Sequence, residues 1–230
     1  MIAAAGSGQR LGAGGPKAFV PVAGRPMIEW SLDAFRACDS VRSIVVAAPP
    51  GHVREIGGHD LTVVPGGETR AQSVANALEA VGTAYVAIHD AARPLLTPEL
   101  VEALVADLDA NPDAAGVIAA APVTDTIKRA AATSLRFDTP EVLNRKLAIE
   151  GTEDRSRLWA AQTPQAFRTE ALREALASVE RPEEATDEAM LVERAGGTVL
   201  IHPVAGENLK VTTPLDLRVA ELLLSERVAS

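Results

Sequence analysis

The chain has 230 residues, 47% hydrophobic and 23% charged, a balance that belongs to a folded globular protein and excludes intrinsic disorder. Aromatic residues are only 3%, so the core must be built from Ala, Val, Leu and Ile, which favours an α/β fold with aliphatic buried strands. The formal net charge of −9 excludes a global basic footprint for nucleic acid, but not a few cations gathered around a small polyphosphate.

In chain order, residues 1–5 are a short apolar start that stops at Gly6. Residues 26–38 read as a helix with Ile28, Leu32 and Phe35 on one face. The single cysteine, Cys38, allows no intrachain disulfide and reads as a small buried hydrophobe in a reducing compartment. Residues 43–48 form a continuous apolar run, hence a buried strand, closed by Pro49-Pro50. Residues 61–64 are the next strand, ended by Pro65-Gly66-Gly67. Thr69 then caps a helix with Val74, Ala77, Leu78 and Val81 at helical spacing. Residues 84–88 are a strand. Thr97-Pro98 starts a helix whose Leu100, Val101, Leu104, Val105 and Leu108 face the core. Residues 115–121 are a further strand.

Regularity fails between residues 122 and 162, a stretch too long for a simple loop. It reads as an inserted arm over 123–162, with a β-hairpin extension and a helical turn near 140–146. Beyond it, 169–179 and 187–195 are helices and 198–203 a strand, and Thr213-Pro214 caps a last helix through Arg227. The whole, residues 1–230, reads as one α/β domain carrying that arm. No run approaches the ~18 apolar residues of a membrane span. A secretory signal pattern is absent, so the expected location is the cytoplasm.

Three segments carry chemistry. The first is Ala4-Ala5-Gly6-Ser7-Gly8-Gln9-Arg10-Leu11-Gly12, where a strand runs into glycines that let backbone N–H groups approach phosphate oxygens. A dinucleotide fingerprint would need glycine at Leu11 and an immediate helix, which Gly14-Gly15-Pro16 prevents. A Walker loop would need Gly-Lys-Ser/Thr. What remains is a long phosphate-wrapping loop with two cations, Arg10 and Lys17, set against a merely flexible turn. The second is His89-Asp90-Ala91-Ala92-Arg93-Pro94, just past an aliphatic strand, where open α/β sheets bind ligands. Asp90 there suits a divalent metal, directly or through water, or a ribose; the alternative is that it caps or pairs with Arg93. His89 reads as loop support. The third is the turn from Gly66 to Ser73, whose helix N-terminus offers free N–H groups. Ser73 and the glycine backbone suit a base or ribose, with ordinary capping as the equal alternative. Downstream, Lys128, Arg129, Arg155 and Lys210 are each consistent with solvated charges; together with Arg10 and Lys17 they point to two anionic substrates. No Ser-His-Asp, Cys-His or zinc spacing is present.

The first of these segments with Pro16-Lys17, then the second, His89 to Pro94, followed in order by Asp125-Thr126-Ile127-Lys128, Gln162-Thr163-Pro164-Gln165, Thr186-Asp187-Glu188-Ala189 and Asn208-Leu209-Lys210-Val211-Thr212, resemble the 2-C-methyl-D-erythritol 4-phosphate cytidylyltransferase family over essentially the whole chain. The resemblance implies a Rossmann-like nucleotidyltransferase (GT-A-like) α/β mixed sheet flanked by helices, with an inserted β-arm for homodimerisation. It implies transfer of a cytidylyl group from CTP to a polyol phosphate with Mg2+, and partners limited to CTP, that phosphate and a second copy. It assigns Arg10 and Lys17 to the α-phosphate, Lys210 to the reacting phosphates, and Thr126 and Arg155 to the polyol phosphate across the dimer, Arg10, Lys17, Arg155 and Lys210 being the catalytic set. Ala4, Ala5, Gly6, Gly8, Gly67, Ser73, Asp90 and Ala91 would frame CTP, with Asp90 the metal contact. Two departures stand out. Ala3 takes the place where the family often has a proline, so the first strand is expected to be short or to begin upstream. The stretch from Lys128-Arg129 to Asp154-Arg155 is longer than the family's arm. Ala92 favours methylerythritol phosphate over ribitol 5-phosphate. A non-catalytic nucleotide-binding module is the rival of another class, opposed by Arg10, Lys17 and Lys210, and a nicotinamide dehydrogenase is opposed by Leu11.

Overall fold

The computed structural model describes residues 1–230 apart from 7, 9, 10, 12–14, 132–145, 206, 207 and 230. The strands are β1 (Ile2–Ala3), β2 (Pro21–Val22), β3 (Arg25–Pro26), β4 (Ile44–Ala48), β5 (Leu61–Pro65), β6 (Tyr85–Asp90), β7 (Gly116–Pro122), β8 (Lys128–Ala130), β9 (Ile149–Thr152), β10 (Trp159–Arg168) and β11 (Val199–Pro203). The helices are α1 (Met27–Arg36), α2 (Arg70–Leu78), α3 (Pro98–Ala110), α4 (Thr169–Ser178), α5 (Glu188–Arg194) and α6 (Pro214–Ala229). Seven strands form one mixed sheet in the order β11-β7-β10-β6-β1-β4-β5. β1, β4, β5 and β6 run parallel, β11 runs parallel to β7, and β10 is antiparallel to both β6 and β7.

The aliphatic runs explain the layering. All five residues of β4 are buried, Val45 and Ala47 on one face and Ile44, Val46 and Ala48 on the other. On the first side of the sheet the core continues through Val74 and Leu78 of α2, Leu172 of α4, and Leu191 and Val192 of α5. The second packs on Ile28, Leu32 and Phe35 of α1 and Val101 of α3. Because both faces are covered, the strand shows no alternation, as expected for a sheet between helix layers. Caps set the helix starts. Thr69 Oγ1 accepts from Gln72 N at 3.1 Å, and Asp187 accepts from Met190 N at 3.0 Å. Thr97 and Pro98 begin α3 as their types predict. Cys38 lies just past α1, buried, its Sγ donating to Ala34 O at 3.2 Å; burial and nearby acids push the thiol up to about 11, so it stays protonated.

β10 departs from the sequence pattern, which marks no strand there. Its buried stretch holds Gln162, Thr163 and Gln165 and no apolar alternation. Pro164 has no N–H to give the ladder, and the pairing with β7 shifts register between Ala161 and Gln165. β8 and β9 pair antiparallel, and Val123 N donates to Leu158 O at 3.2 Å where the two legs of this excursion meet. Lys128 Nζ donates to Thr152 Oγ1 at 2.7 Å and Arg129 pairs with Glu153 at 2.9 Å, so these cations serve the hairpin itself. The helical turn expected near 140–146 lies outside the described residues, Lys146 apart. Among the described residues no helix is long and apolar enough to cross a membrane.

Candidate active site

The carboxyl ends of β1, β4, β5 and β6 open into a cleft of about 640 Å3. This is where ligands bind open α/β sheets, at the point where β1 has neighbours on both sides. Register sets who meets whom. Ala3 lies beside Asp90, Ala91 N donates to Ala3 O at 3.1 Å, and Ala4 N donates to Ala47 O at 3.0 Å. The glycine-rich loop leaves β1 and returns so that Lys17 N donates to Gly6 O at 3.1 Å. Gly8 sits at φ +69°, and a Cβ there would stand 3.0 Å from Gly15 O, so only glycine fits that crossing. Gly66 N donates to Ala48 O at 2.7 Å, and a Cβ on Gly66 would meet Ala5 Cβ at 2.5 Å. The two glycine turns therefore pack back to back.

Ala4, Ala5, Gly6, Gly8, Lys17, Gly67, Ser73, Asp90, Ala91 and Lys210 all line this one cleft. Arg10 lies outside the described residues. Thr126 and Arg155 are exposed and are not brought to the cleft within one chain; Arg155 donates to Thr124 O and lines a separate shallow hollow with Asp154 and Trp159. Ser73 is buried; it donates to Thr69 O at 2.9 Å and accepts from Gly67 N at 3.0 Å, which leaves its oxygen one lone pair and no further proton to give.

The charges in the cleft form a connected set. Arg70 Nε and Nη2 both reach Asp90 Oδ1, at 3.2 and 3.1 Å, while Arg70 Nη1 donates to Glu188. Lys210 Nζ donates to Asp90 Oδ2 at 2.6 Å. Burial alone would raise the Asp90 carboxyl, but Arg70 and Lys210 outweigh it and hold it well below the usual carboxylate range. Asp90 does not pair with Arg93, contrary to one reading of the sequence. The Arg93 side chain turns away and donates to Asn208 O at 2.7 Å and Ala161 O at 3.5 Å.

His89 is fully buried beneath the cleft. Its Nε2 faces Arg93 O at 3.0 Å, and a carbonyl can only accept, so this nitrogen carries the proton. Nδ1 then accepts from Thr163 Oγ1 at 3.1 Å, and Thr163 Oγ1 accepts from Asp90 N at 3.0 Å. Burial pushes the imidazole down to about 4 against the pull of Asp90, so it is neutral at working pH. Gln165 continues the scaffold: it donates to Asp187 at 2.9 Å and accepts from Ala189 N at 3.2 Å. A ring thus runs from Asp90 to Thr163, along β10 to Gln165, on to α5 with Glu188, and through Arg70 back to Asp90.

Arg70, Glu188 and Thr163 carry no role in the sequence reading. Two signals were present. Arg70 is a cation in the first turn of a helix, where the dipole disfavours it. Glu188 occupies the buried stripe of α5 with Leu191 and Val192. Thr163 stood in a motif of the family resemblance but gave no physical signal of its own, because its value lies in contacts to residues far away in sequence.

A family model described as 2-C-methyl-D-erythritol 4-phosphate cytidylyltransferase matches residues 1–226. The protein of that name from Synechococcus sp. (strain WH7803) is 41% identical, with 99% of each chain covered. The one from Nocardia farcinica (strain IFM 10152) is 42% identical, covering 100% of this chain and 94% of the relative. The crystal structure of 2-C-methyl-D-erythritol 4-phosphate cytidylyltransferase from Thermus thermophilus superposes with a TM-score of 0.76 at 34% identity, covering 97% of both chains. With the same motifs converging on one cleft, this chain belongs to the 2-C-methyl-D-erythritol 4-phosphate cytidylyltransferase family.

Proposed function

We infer that the chain transfers the cytidylyl group of CTP to 2-C-methyl-D-erythritol 4-phosphate, releasing pyrophosphate, as a step of non-mevalonate isoprenoid biosynthesis. The observation that carries this is the meeting of the glycine loop, Lys17, Asp90 and Lys210 in one cleft, in a chain matched along its length by that family. An oxygen of the acceptor phosphate forms a bond to the α-phosphorus of CTP, the bond from that phosphorus to the bridging oxygen breaks, and pyrophosphate leaves. The acceptor is a phosphate monoester, largely a dianion at neutral pH, so no proton has to be removed. The burden is repulsion between two polyanions, which fixed cations relieve. Neutral, buried His89 and firmly ionised Asp90 are consistent with a site that needs no general base.

In this reading Arg10 and Lys17 stabilise charge on the α-phosphate, and Lys210 holds the reacting phosphates. The backbone of Ala4, Ala5, Gly6, Gly8, Gly67 and Ala91 frames CTP, and the remaining lone pair of Ser73 suits a donor such as an exocyclic amine. Among the described residues no three acids, histidines or cysteines gather as a cage. That suits Mg2+, which commonly takes one or two carboxylates and completes its shell with substrate phosphates and water. Asp90 would be the protein's carboxylate, and the ion would supply charge neutralisation on the triphosphate.

Thr126 and Arg155 serve a second copy's cleft in this reading, through a homodimer joined by the arm. Support comes from their distance from the chain's own cleft and from the exposed Ile127, Ile149 and Trp159 on the same excursion. A cytoplasmic location accords with the lone buried thiol of Cys38. The test of the activity is pyrophosphate release across CTP, ATP and GTP with methylerythritol phosphate and ribitol 5-phosphate. The expected result is turnover with CTP and methylerythritol phosphate well above all other pairs. Faster turnover with ribitol 5-phosphate, or none with either polyol, would overturn it.

A further inference from the structure

Glu188 is 1% exposed, yet α5 does not need it to begin. Asp187 caps the first turn and Gln165 accepts from Ala189 N. One carboxylate oxygen of Glu188 has no hydrogen-bond partner among the described residues, and burial pushes its carboxyl up while Arg70 opposes. A buried ion pair with an unsatisfied oxygen is weak support for a fold; an apolar side chain of similar volume would serve packing as well or better. The charge therefore has another use.

That use follows from how Arg70 divides its donors. Nη1 is taken by Glu188, and Nε with Nη2 converge on Asp90 Oδ1. Asp90 Oδ2 is left to Lys210. A guanidinium freed from Glu188 can take both oxygens of one carboxylate, its preferred parallel fork. It would then draw Oδ2 away from Lys210 and the reacting end of the cleft. Resting on the cytidylyl-transfer reading above, we propose that Glu188 is a positioning residue: it anchors Arg70 so that Asp90 keeps one oxygen on Lys210, and Lys210 in turn stays aimed at the reacting phosphates. The relay acts at the reacting end of the cleft and leaves the nucleotide-framing glycine turns untouched, so the effect falls chiefly on turnover, and CTP capture, which Asp90 shares with those turns, changes far less.

The experiment compares wild type, Glu188→Gln, Arg70→Lys and the double variant by steady-state pyrophosphate release with CTP and methylerythritol phosphate. CTP binding by calorimetry and Tm are measured on each. A lysine at position 70 cannot bridge two carboxylates as a fork does. The expected result for Glu188→Gln is a roughly 10- to 100-fold loss of kcat, the scale of a small misplacement at a reacting centre. KM and the calorimetric Kd for CTP stay within about threefold, as for an interaction made in the transition state. The double variant is no more than about twofold slower than Arg70→Lys, because the two act through one contact. Unchanged kcat with a lowered Tm would show a structural role and overturn the proposal. So would losses that multiply in the double variant, or a loss confined to CTP binding. Should Glu188→Gln not fold, Glu188→Met fills the volume without an unpaired polar group and carries the same comparison. A wild type that fails to release pyrophosphate strikes the functional reading; an active wild type with an equally active Glu188→Gln strikes only this proposal.

Discussion

His89 shows how a side chain outside the chemistry sets the terms for one inside it. Its imidazole, neutral and locked between Thr163 and Arg93 O, fixes the hydroxyl that receives the Asp90 amide. In the folded chain it is held near 4, below its ordinary 6.5. As pH falls, the unfolded chain takes the proton first, so stability is full above about 6.5 and drains away down to about 4. The loss is on the order of 3 kcal/mol. Urea unfolding across that window should show it, and His89→Gln, though less stable at neutral pH, should show a flatter slope. Lys17 belongs to the chemistry itself in our reading. Lys17→Ala is expected to lower kcat by roughly 100-fold or more, the cost of removing one charged donor from a developing charge, with an unchanged circular dichroism spectrum; near-normal kcat would count against the assigned role.

At the scale of elements, helix starts hold the site. α6 begins with a capping box: Thr213 Oγ1 accepts from Asp216 N at 3.2 Å, and Asp216 Oδ2 accepts from Thr213 N at 2.7 Å and Thr212 N at 2.8 Å. The same carboxylate therefore ties down the strand of chain that carries Lys210. Asp216→Ala should cost about 1 kcal/mol of stability, read from the urea midpoint, and should lower kcat more than it changes KM for CTP. Thr69, Thr97 and Thr213 were legible as caps because capping is a local contact. β10 was not, because Thr163 and Gln165 find their partners inside the protein at residues distant in sequence, and Pro164 imitates a loop.

At the scale of the molecule, the cleft in one chain lacks the two arm residues that the family resemblance assigns to the acceptor. Lys17→Ala and Arg155→Ala are each expected to be nearly inactive alone. Refolded together in equal amounts they should regain part of the activity, because in the proposed homodimer a mixed pair would hold one cleft with both residues intact. No recovery, together with a monomer in analytical ultracentrifugation, would refute the shared site.

The sequence by itself determined the α/β layering, the helix starts, the glycine loop and the cleft residues from Ala4 to Lys210, because periodicity, caps and strand-end loops are local properties of a chain. Tertiary structure alone decided that β10 enters the sheet between β6 and β7, that Arg70 rather than Arg93 meets Asp90, and that Glu188 stands behind Arg70. Those are pairings between segments up to 118 residues apart. What selects them is the cost of leaving a buried charge or donor without a partner, a quantity that exists only once the chain has folded.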